Sequence, residues 1–447
     1  MQKALGGLDA DYAEIRVEQA ARTELLYQGP ELETIGSSLA LGGCVRVCIN
    51  GGWGFSSFNR MEDAESSAKT ACKLAGISAG DKTVLSPVEP VTAVIEWQGG
   101  TDPSTVSLVD KRDLLKSYND RLFNAEGIVT TQSGYRDTKR IVWLATNEGT
   151  SIRREDVIAG VSLMAVAKDG ANVQRGFQSF GDQRGYETVL NREDDVEKII
   201  KTTRDLITAP KVVGGTYTVV INPSLAGVFA HEAFGHLSEA DFVYQDPKAR
   251  EMMKLGRRFG PDFLNIVDDG NLHGEVGYVP YDDEGVRGQR TYLIRDGLLV
   301  GRLHSRETAG IMGEQPTGNA RAINTSFRPI VRMTNTLIEN GDVSFESMIS
   351  GIKDGIYACN FIGGMTDLER FTFSSAYAFK IENGRITTPV RDVILSGNVF
   401  ETLKNISMIG NDLEMIGGLG GCGKGDQSPL PASHGSPHIR IDNVLVG

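Results

Sequence analysis

The sequence contains no long apolar run and no surplus of positive charge. No segment approaches the roughly 20 apolar residues of a transmembrane helix. The N-terminus, MQKALGGLDADYAEIRVEQ, also lacks the apolar core of a signal peptide. The formal net charge of −12 disfavours binding to nucleic acid or to anionic membranes, because both require clustered Lys and Arg. We therefore expect a protein that binds neither nucleic acid nor a membrane.

Cysteine and histidine are also scarce. The 447 residues include five cysteines, an odd number that does not make the disulfide framework of a secreted domain. We therefore expect reduced thiols and a cytoplasmic location. The chain has only six histidines, so two of them close together with a glutamate form an unusual pattern.

Composition and periodicity predict an α+β protein. A hydrophobic content of 40% and a charged content of 23% are those of an ordinary globular protein. YAEIRVEQ and TELLYQG alternate like strands, MEDAESSAKTACKLAGIS has helical spacing, and GDKTVLSPVEPVTAV is typical of a loop or linker. We expect an N-terminal α+β subdomain with an antiparallel sheet at 1–85 and a middle α+β subdomain at 86–210. A large strand-rich C-terminal domain at 211–447 should carry the helix described next.

The segment HEAFGH, residues 231–236, resembles the zinc-binding helix H-E-x-x-H but has one residue more between its histidines. Residues five apart on a regular α-helix differ by about 140° in direction, so His231 and His236 would point apart. A π-bulge restores their convergence, and Gly235 is the residue type that tolerates such a distortion. The segment therefore predicts a metal site in which Glu232 is the general base for a metal-bound water. The alternative is a chance group of solvated or capping residues.

A catalytic zinc requires a third protein ligand. Glu239 and Asp241 lie just downstream, and local spacing favours Glu239, which would complete a His2Glu site. More distant candidates are His273, His304, His434, His438 and the cysteines.

The segment GGLGGCGKGDQSP, residues 417–429, is the second unusual stretch. It matches G-x-x-x-x-G-K, but Gly425 stands where a phosphate-binding loop has Ser or Thr, and prolines follow where a helix should begin. The pattern therefore disfavours ATP or GTP binding. Cys422 in its middle is a metal ligand, a nucleophile or an inert small residue. The other cysteines lie in apolar contexts typical of a core, at Cys44, Cys48, Cys72 and Cys359.

Several segments together resemble the TldD/PmbA family of metallopeptidases over nearly the whole chain. They are YAEIRVEQ with GCVRVCINGGWGFSS, TYTVVINPSLAGVFAHEAFGH, DDEGVRGQRTYLIRDGLLVGRLHSRETA, PTGNARA, ENGRITTPVRDVILSGN and CGKGDQSP. The resemblance implies a zinc ion held by His231, His236 and Cys422, with Glu232 as base. This sequence keeps every one of these residues, so it resembles the active, TldD-type subunit rather than the inactive partner that lacks the motif.

The resemblance implies a zinc-dependent metallopeptidase that hydrolyses small or unfolded peptides as a homodimer or as a heterodimer with a related family subunit. An extended peptide could add as a strand to an exposed sheet edge. One alternative is a zinc amidohydrolase acting on a non-peptide amide. Another is a non-catalytic scaffold subunit, which would need no general base at Glu232. The sequence predicts no substrate-contact residues.

Overall fold

The computed structural model describes residues 1–78, 83–367 and 369–447. The α-helices are α1 (Gln2–Leu5), α2 (Ala64–Ile77), α3 (Leu108–Phe123), α4 (Glu193–Thr208), α5 (Pro223–Ala230), α6 (Ala240–Gln245), α7 (Pro247–Met252), α8 (Arg306–Met312), α9 (Phe345–Ser350) and α10 (Val399–Lys404). None of these described helices is long and apolar enough to cross a membrane.

Strands occupy more of the chain than helices. They are β1 (Tyr12–Gln28), β2 (Glu31–Ile49), β3 (Gly52–Phe58), β4 (Thr92–Ile95), β5 (Ile128–Thr146), β6 (Ser151–Asp169), β7 (Asn172–Asp182), β8 (Gly215–Ile221), β9 (Ile266–Asp269), β10 (Arg290–Arg295), β11 (Leu298–Leu299), β12 (Ala320–Arg321), β13 (Ile330–Val331), β14 (Asn335–Ile338), β15 (Asp354–Asp367), β16 (Arg370–Glu382), β17 (Arg385–Val390), β18 (Ile394–Asn398), β19 (Ile406–Ile409), β20 (Glu414–Ile416), β21 (Cys422–Lys424), β22 (Gln427–Leu430), β23 (Ser433–Ser436) and β24 (Ile439–Val446).

The first seven strands form one sheet in the order β3-β2-β1-β5-β6-β4, with β7 also paired to β6. All pairs are antiparallel except β4 with β6. The two strands predicted from YAEIRVEQ and TELLYQG are one strand of 17 residues, β1. β2 and β3 are joined by Asn50 and Gly51, both with positive φ (49° and 82°), as a two-residue hairpin turn requires.

The prediction of a loop at 80–94 is wrong for its last three residues, because β4 begins at Thr92. Its first residues, 80–82, lie outside the described part of the chain. The first sheet joins strands from both predicted N-terminal subdomains. The division at residues 85 and 210 stays a prediction.

Helices cover one face of this sheet through two separate cores. α2 packs its alanines, including Ala68 and Ala71, against Val45 and its neighbours. α2 and β3 approach each other closely. A Cβ on Gly54 of β3 would lie 1.8 Å from the carbonyl oxygen of Ala71, so only glycine fits there. α3 and α4 cover the other end of the sheet around Leu25.

The C-terminal half contains a ring of strands and a second sheet. Consecutive pairing runs β15-β8-β24-β18-β16, and β16 pairs back to β15, so these five strands form a closed circuit. The second sheet has the order β11-β10-β9-β14-β23-β20. α5 follows β8, and all its residues except Ser224 are buried between the ring and the second sheet. This arrangement confirms the predicted α+β class with a strand-rich C-terminal half carrying the motif helix.

The buried turn at Asp283 and Glu284, termed the acidic turn, holds the first sheet and the C-terminal half together. Asp283 forms ion pairs with Arg16 of β1 and with Arg154 of β6, the latter at 2.8 Å. The neighbouring Glu284 pairs with Arg46 of β2 at 2.6 Å. These side chains are almost fully buried and therefore lose their hydration. The opposite charges of the neighbouring side chains offset that loss. The acidic turn thereby fixes the first sheet above the C-terminal half, and a cleft is left between them.

Candidate metal centre

The two histidines of HEAFGH lie on the same side of a helix that contains a wider last turn. Asn222 caps the start of α5, and Pro223 occupies its first position. α5 then continues directly into a π-helical turn over His231–Gly235. The ring centroids of His231 and His236 are 5.3 Å apart. The predicted π-bulge is therefore confirmed, and it brings the two rings together.

Gly235 leaves space at this turn and does not supply unusual backbone freedom. Its φ and ψ are −56° and −52°, which is the ordinary right-handed helical region open to every residue. A Cβ at this position would lie only 2.1 Å from Sδ of Met333. The prediction that Gly235 accommodates the bulge through its conformational tolerance is wrong, because the neighbouring methionine is what excludes a larger residue.

Cys422 reaches the histidines from a short hairpin made by β21 and β22. The fully buried Arg332 donates hydrogen bonds to the carbonyl oxygens of Cys422 (2.5 Å) and Gln427 (3.0 Å), which holds both strands of the hairpin. The hairpin turns at Gly425, whose φ is +58°. A phosphate-binding loop leads from a strand into a helix, whereas this segment leads from one strand into another.

Three potential ligand atoms converge at the junction of α5 and the hairpin. One atom each from His231, His236 and Cys422 lies within 4.8 Å of the other two. Sγ of Cys422 is 3.3 Å from Nε2 of His236. Two imidazole nitrogens and one thiolate match the ligand types and number that a catalytic zinc takes from a protein, with one position left for water or substrate. The residues present therefore fit the metal that the sequence resemblance implies.

The site favours charge on both the thiol and the imidazole. Burial alone would raise the pKa of Cys422, but hydrogen bonds with His231 and His236 outweigh it and lower that pKa to about 5. Burial would lower the pKa of His236, but its hydrogen bonds with Cys422 and Glu239 raise it to about 11. These hydrogen bonds therefore favour the thiolate form of Cys422 and the imidazolium form of His236. A thiolate is the form that binds metals.

Glu239, which local spacing favours as third ligand, lies on the far side of the His236 ring. Its Oε2 is 3.1 Å from Nδ1 of His236, whereas Nε2 of that ring faces Cys422. The same carboxylate is 3.0 Å from Nζ of Lys424, which also binds Asp241. Burial would raise the pKa of Glu239, yet Lys424 and His236 lower it, so the group is a carboxylate. Glu239 therefore orients His236 and does not sit among the ligand atoms.

Glu232 lies beside the three converging residues and faces a cleft. Its Oε2 is 3.9 Å from Nε2 of His236, and its side chain is 35% exposed. The cleft has a volume of about 1300 Å³ and is lined by His231, Glu232 and Cys422 on one side. β20, strands of the first sheet, the glycine-rich segment 417–421 and residues of β15 and β16 also line it. A carboxylate at this position can reach both a substrate in the cleft and a water near the ligand set.

The remaining histidines do not join the ligand set. His273 packs against Tyr278, His304 binds Thr308 and Glu314, and His438 binds Tyr357 and Asp412. His434 lines the cleft, and a Cβ on Gly227 of α5 would lie 2.7 Å from its ring. Nε2 of His434 and Nδ1 of His231 are buried without a hydrogen-bond partner in the described residues. His231 thus lacks the carboxylate support that Glu239 gives to His236.

Sequence reasoning missed the residues that support the ligands. Glu239 follows His236 by three residues, a spacing that could have been interpreted as support instead of ligation. Arg332 carries no local signal, since it lies 90 residues from the cysteine whose carbonyl oxygen it binds. Lys424 was visible only as part of the rejected phosphate-loop pattern.

Comparison with known proteins agrees with these features. Models of the PmbA/TldA metallopeptidase family match in three parts: domain 1 at residues 13–75, the central domain at 101–209 and the C-terminal domain at 214–447. A metalloprotease of Synechocystis sp. (strain PCC 6803) is 46% identical over 440 residues, which cover 98% of this chain and 95% of that protein. A zinc metalloprotease TldD homolog of Saccharolobus solfataricus is 33% identical over 311 residues, 68% of each chain.

The solved structures give the same fold. The crystal structure of TldE from Thermococcus kodakarensis superposes with a TM-score of 0.77 at 19% identity, covering 98% of this chain and 97% of that one. The matches define the chain as a metallopeptidase, a hydrolase that acts on peptide bonds. It belongs to the PmbA/TldD family, as the sequence segments predict.

Proposed function

We propose that this protein hydrolyses small or unfolded peptides in the cleft, with zinc held by His231, His236 and Cys422. The observation that carries the proposal is the convergence of these three ligand atoms within 4.8 Å, in the wall of a cleft and beside Glu232. When bound, zinc would supply Lewis acidity, which polarises a carbonyl group and lowers the pKa of water.

In this proposal Glu232 moves the protons. Its partly exposed carboxylate accepts a proton from the attacking water and then donates it to the departing amine, as general base and general acid in turn. Glu239 holds the His236 ring through Nδ1 while Nε2 stays directed toward Cys422. The hairpin holds Cys422 through Arg332. These residues position the reacting groups without contact with the substrate.

The cleft suits an extended peptide. β20 is an end strand of the second sheet among the described strands, and its residues line the cleft. A peptide that pairs with such an edge is bound through its main chain, which gives affinity with little side-chain selectivity. Compact domains offer few extended segments, so we propose that unfolded chains and short peptides are the substrates.

We further propose that the protein works as a dimer, either with a second copy or with a related family subunit. The sequence resemblance implies such pairing, and a structural relative bears the name TldE.

All five cysteines are free, which supports the expected reducing, cytoplasmic compartment.

The test combines metal content with turnover. Purified protein should contain one zinc per chain, and Cys422→Ala should lose it, whereas the matched control Cys359→Ala, a buried thiol outside the ligand set, should retain it. Glu232→Gln keeps the shape but not the basicity, so it should retain zinc and lose turnover of a peptide library by about a hundredfold or more. Zinc retained by Cys422→Ala would contradict the ligand set, and unchanged turnover in Glu232→Gln would remove that residue from the reaction.

A further inference from the structure

A second, smaller cavity opens beside the cleft. It has a volume of about 190 Å³ and is lined by residues of α4 and β7 from the N-terminal half and of β16 from the strand ring. The residues that line both this cavity and the cleft are Phe177, Gln178, Lys198, Asn360 and Tyr377, so the two spaces are continuous. We term this cavity the side pocket. The proposed zinc ligands and Glu232 are not among the described residues that line it.

Aromatic rings form much of the wall of the side pocket. Tyr377 and Phe379 are alternate residues of β16 and pack edge to face, with ring centroids 6.0 Å apart. Phe177 of β7 adds a third ring, which is 43% exposed although it is large and apolar. Leu206 of α4 and Pro389 of β17 extend the apolar surface. An exposed ring at the border of a cleft is typical of a surface that binds a ligand.

The charged side chains of the side pocket are already paired. Lys201 pairs with Asp205, and Lys198 lies 3.7 Å from Asp195. These lysines are 77% and 72% exposed, so their charged ends are in contact with water. The side pocket therefore offers apolar contacts and no unpaired charge among its described lining residues. A charged group that entered it would lose hydration without gaining a partner.

The volume of the side pocket matches one apolar side chain. An apolar cavity of about 150 Å³ is large enough to hold benzene, so the 190 Å³ found here accommodates a phenyl ring or a leucine side chain. Pockets for separate small molecules usually have about 300–1,000 Å³. A side chain that belongs to a longer peptide in the cleft is therefore a better match for this space than a free ligand.

Asn360 lies where the side pocket meets the cleft and has an amide donor to spare. Its main-chain N–H donates to Oδ1 of Asn222 (2.9 Å), and its own Oδ1 accepts from Nδ2 of Asn222 (2.8 Å). Oδ1 of Asn222 also accepts from the N–H of Leu225 (3.1 Å), which fixes the orientation of both amides. Nδ2 of Asn360 is therefore at the end of the amide that does not face Asn222, and it has no acceptor among the described residues.

We propose that the side pocket is a substrate subsite for one aromatic or large aliphatic side chain of a peptide bound in the cleft. Nδ2 of Asn360 donates to a main-chain carbonyl oxygen of the same peptide at the opening of the side pocket. This inference rests on the proposed function and adds a preference that main-chain pairing alone does not supply.

The side pocket lies several peptide residues from the reacting groups. Asn222, which holds Asn360, caps α5, and Glu232 follows ten residues later in the same helical stretch. At about 1.5 Å per residue these two positions are roughly 15 Å apart. An extended peptide advances about 3.3 Å per residue, so the selected side chain is four or five residues from the cleaved bond. A pocket at the metal would instead select the residue next to that bond.

The preference can be measured as binding to the full chain with Glu232→Gln, which does not turn the peptide over. The probes are dodecapeptides of glycine and serine with one central Phe, Ala or Asp. The Phe peptide should bind at least about tenfold more tightly than the Ala peptide, the lower end of what a hydrophobic pocket contributes, and the Asp peptide no better than the Ala peptide. Thr202→Trp fills the side pocket from α4 and should abolish the difference. The matched control Arg204→Trp adds the same ring to α4 outside the pocket lining and should preserve it.

Binding of the Ala peptide shows that these variants remain folded, because it does not use the side pocket. Asn360→Asp keeps the acceptor for Asn222 and removes the free donor, so it should weaken the Phe and Ala peptides by the same severalfold factor. Unchanged affinity in Asn360→Asp would contradict the donation to the peptide.

The position of the cleaved bond supplies an independent measurement with the active chain. When Phe is moved by one residue along the dodecapeptide, the cut should also move by one residue, at a constant separation of four or five, as read by mass spectrometry. Equal affinity for the Phe and Ala peptides, a preference that survives Thr202→Trp, or cleavage directly beside Phe would each overturn the subsite. Failure of the proposed function is distinguishable, because zinc content and turnover of the peptide library do not depend on the side pocket.

Discussion

Replacing Glu239 by glutamine should weaken metal binding without abolishing it. The carboxylate is almost fully buried and lies 3.1 Å from Nδ1 of His236 and 3.0 Å from Nζ of Lys424. Glu239→Gln preserves the shape but removes the negative charge that makes the imidazole a better ligand. Loss of a partner that orients a ligand typically costs 10- to 100-fold in metal affinity. This corresponds to about 1.4–2.8 kcal/mol at about 1.4 kcal/mol per tenfold change, which agrees with about 1.5–3 kcal/mol for a hydrogen bond to a charged group.

The assay is competition for zinc with a chelator of known affinity at pH 7.5. Asp241→Asn is the matched control, because Asp241 shares Lys424 with Glu239 but is not bonded to His236. We expect the control to bind zinc almost as tightly as the wild type. Wild-type affinity in Glu239→Gln would refute the orienting role. If Glu239→Ala lost all zinc while Cys422→Ala kept it, the His2Glu site favoured by local spacing would be the real one.

Three further predictions concern the scaffold and the substrate. Asp283→Asn leaves two buried arginines without their shared carboxylate, so the free energy of unfolding at pH 7 should fall by about 3–5 kcal/mol in a denaturant titration. Burial alone would raise the pKa of Asp283, but Arg16 and Arg154 hold it well below its usual range. The contribution of Asp283 to the free energy of unfolding is therefore present above the unfolded carboxyl pKa of about 3.9 and is lost as pH falls further. If wild type and variant differed in free energy of unfolding by the same amount at pH 7 and at pH 2, this reasoning would be contradicted. Gly235→Ala should lower zinc content because of the contact with Met333, and a second change, Met333→Ala, should restore it; full zinc in the single variant would show that the turn has room. A small domain offered folded and, through mutation, permanently unfolded should be cleaved only when unfolded, and equal rates would exclude a site restricted to extended chains.

The sequence predicted the parts of the fold and site that depend on local pattern. Strand alternation and the extra residue in HEAFGH are local signals, and the π-turn follows from the second of these. Cys422 entered the predicted site through family resemblance, because no local rule connects it to a histidine 186 residues away.

What the sequence did not predict depends on long-range packing. The ion pairs of Asp283 with Arg16 and Arg154 join residues far apart in the chain, and nothing in DDEG indicates those partners. Gly235 was predicted for a backbone reason, whereas its neighbour Met333 is brought to it by the tertiary fold. Glu239 was in the right place for two roles, and only the orientation of the His236 ring distinguishes support from ligation.

The distance along the chain between the proposed ligands has a consequence for biosynthesis. His236 and Cys422 are 186 residues apart, and β24, which closes the strand ring by pairing with β8, follows both. At about 5–20 residues per second, the thiol leaves the ribosome roughly 10–40 s after the histidines. During that interval the growing chain carries Glu232 without a complete ligand set. The nascent peptidase would therefore be unable to cut unfolded chains at the ribosome, including other nascent copies of itself, until its last strands have been made.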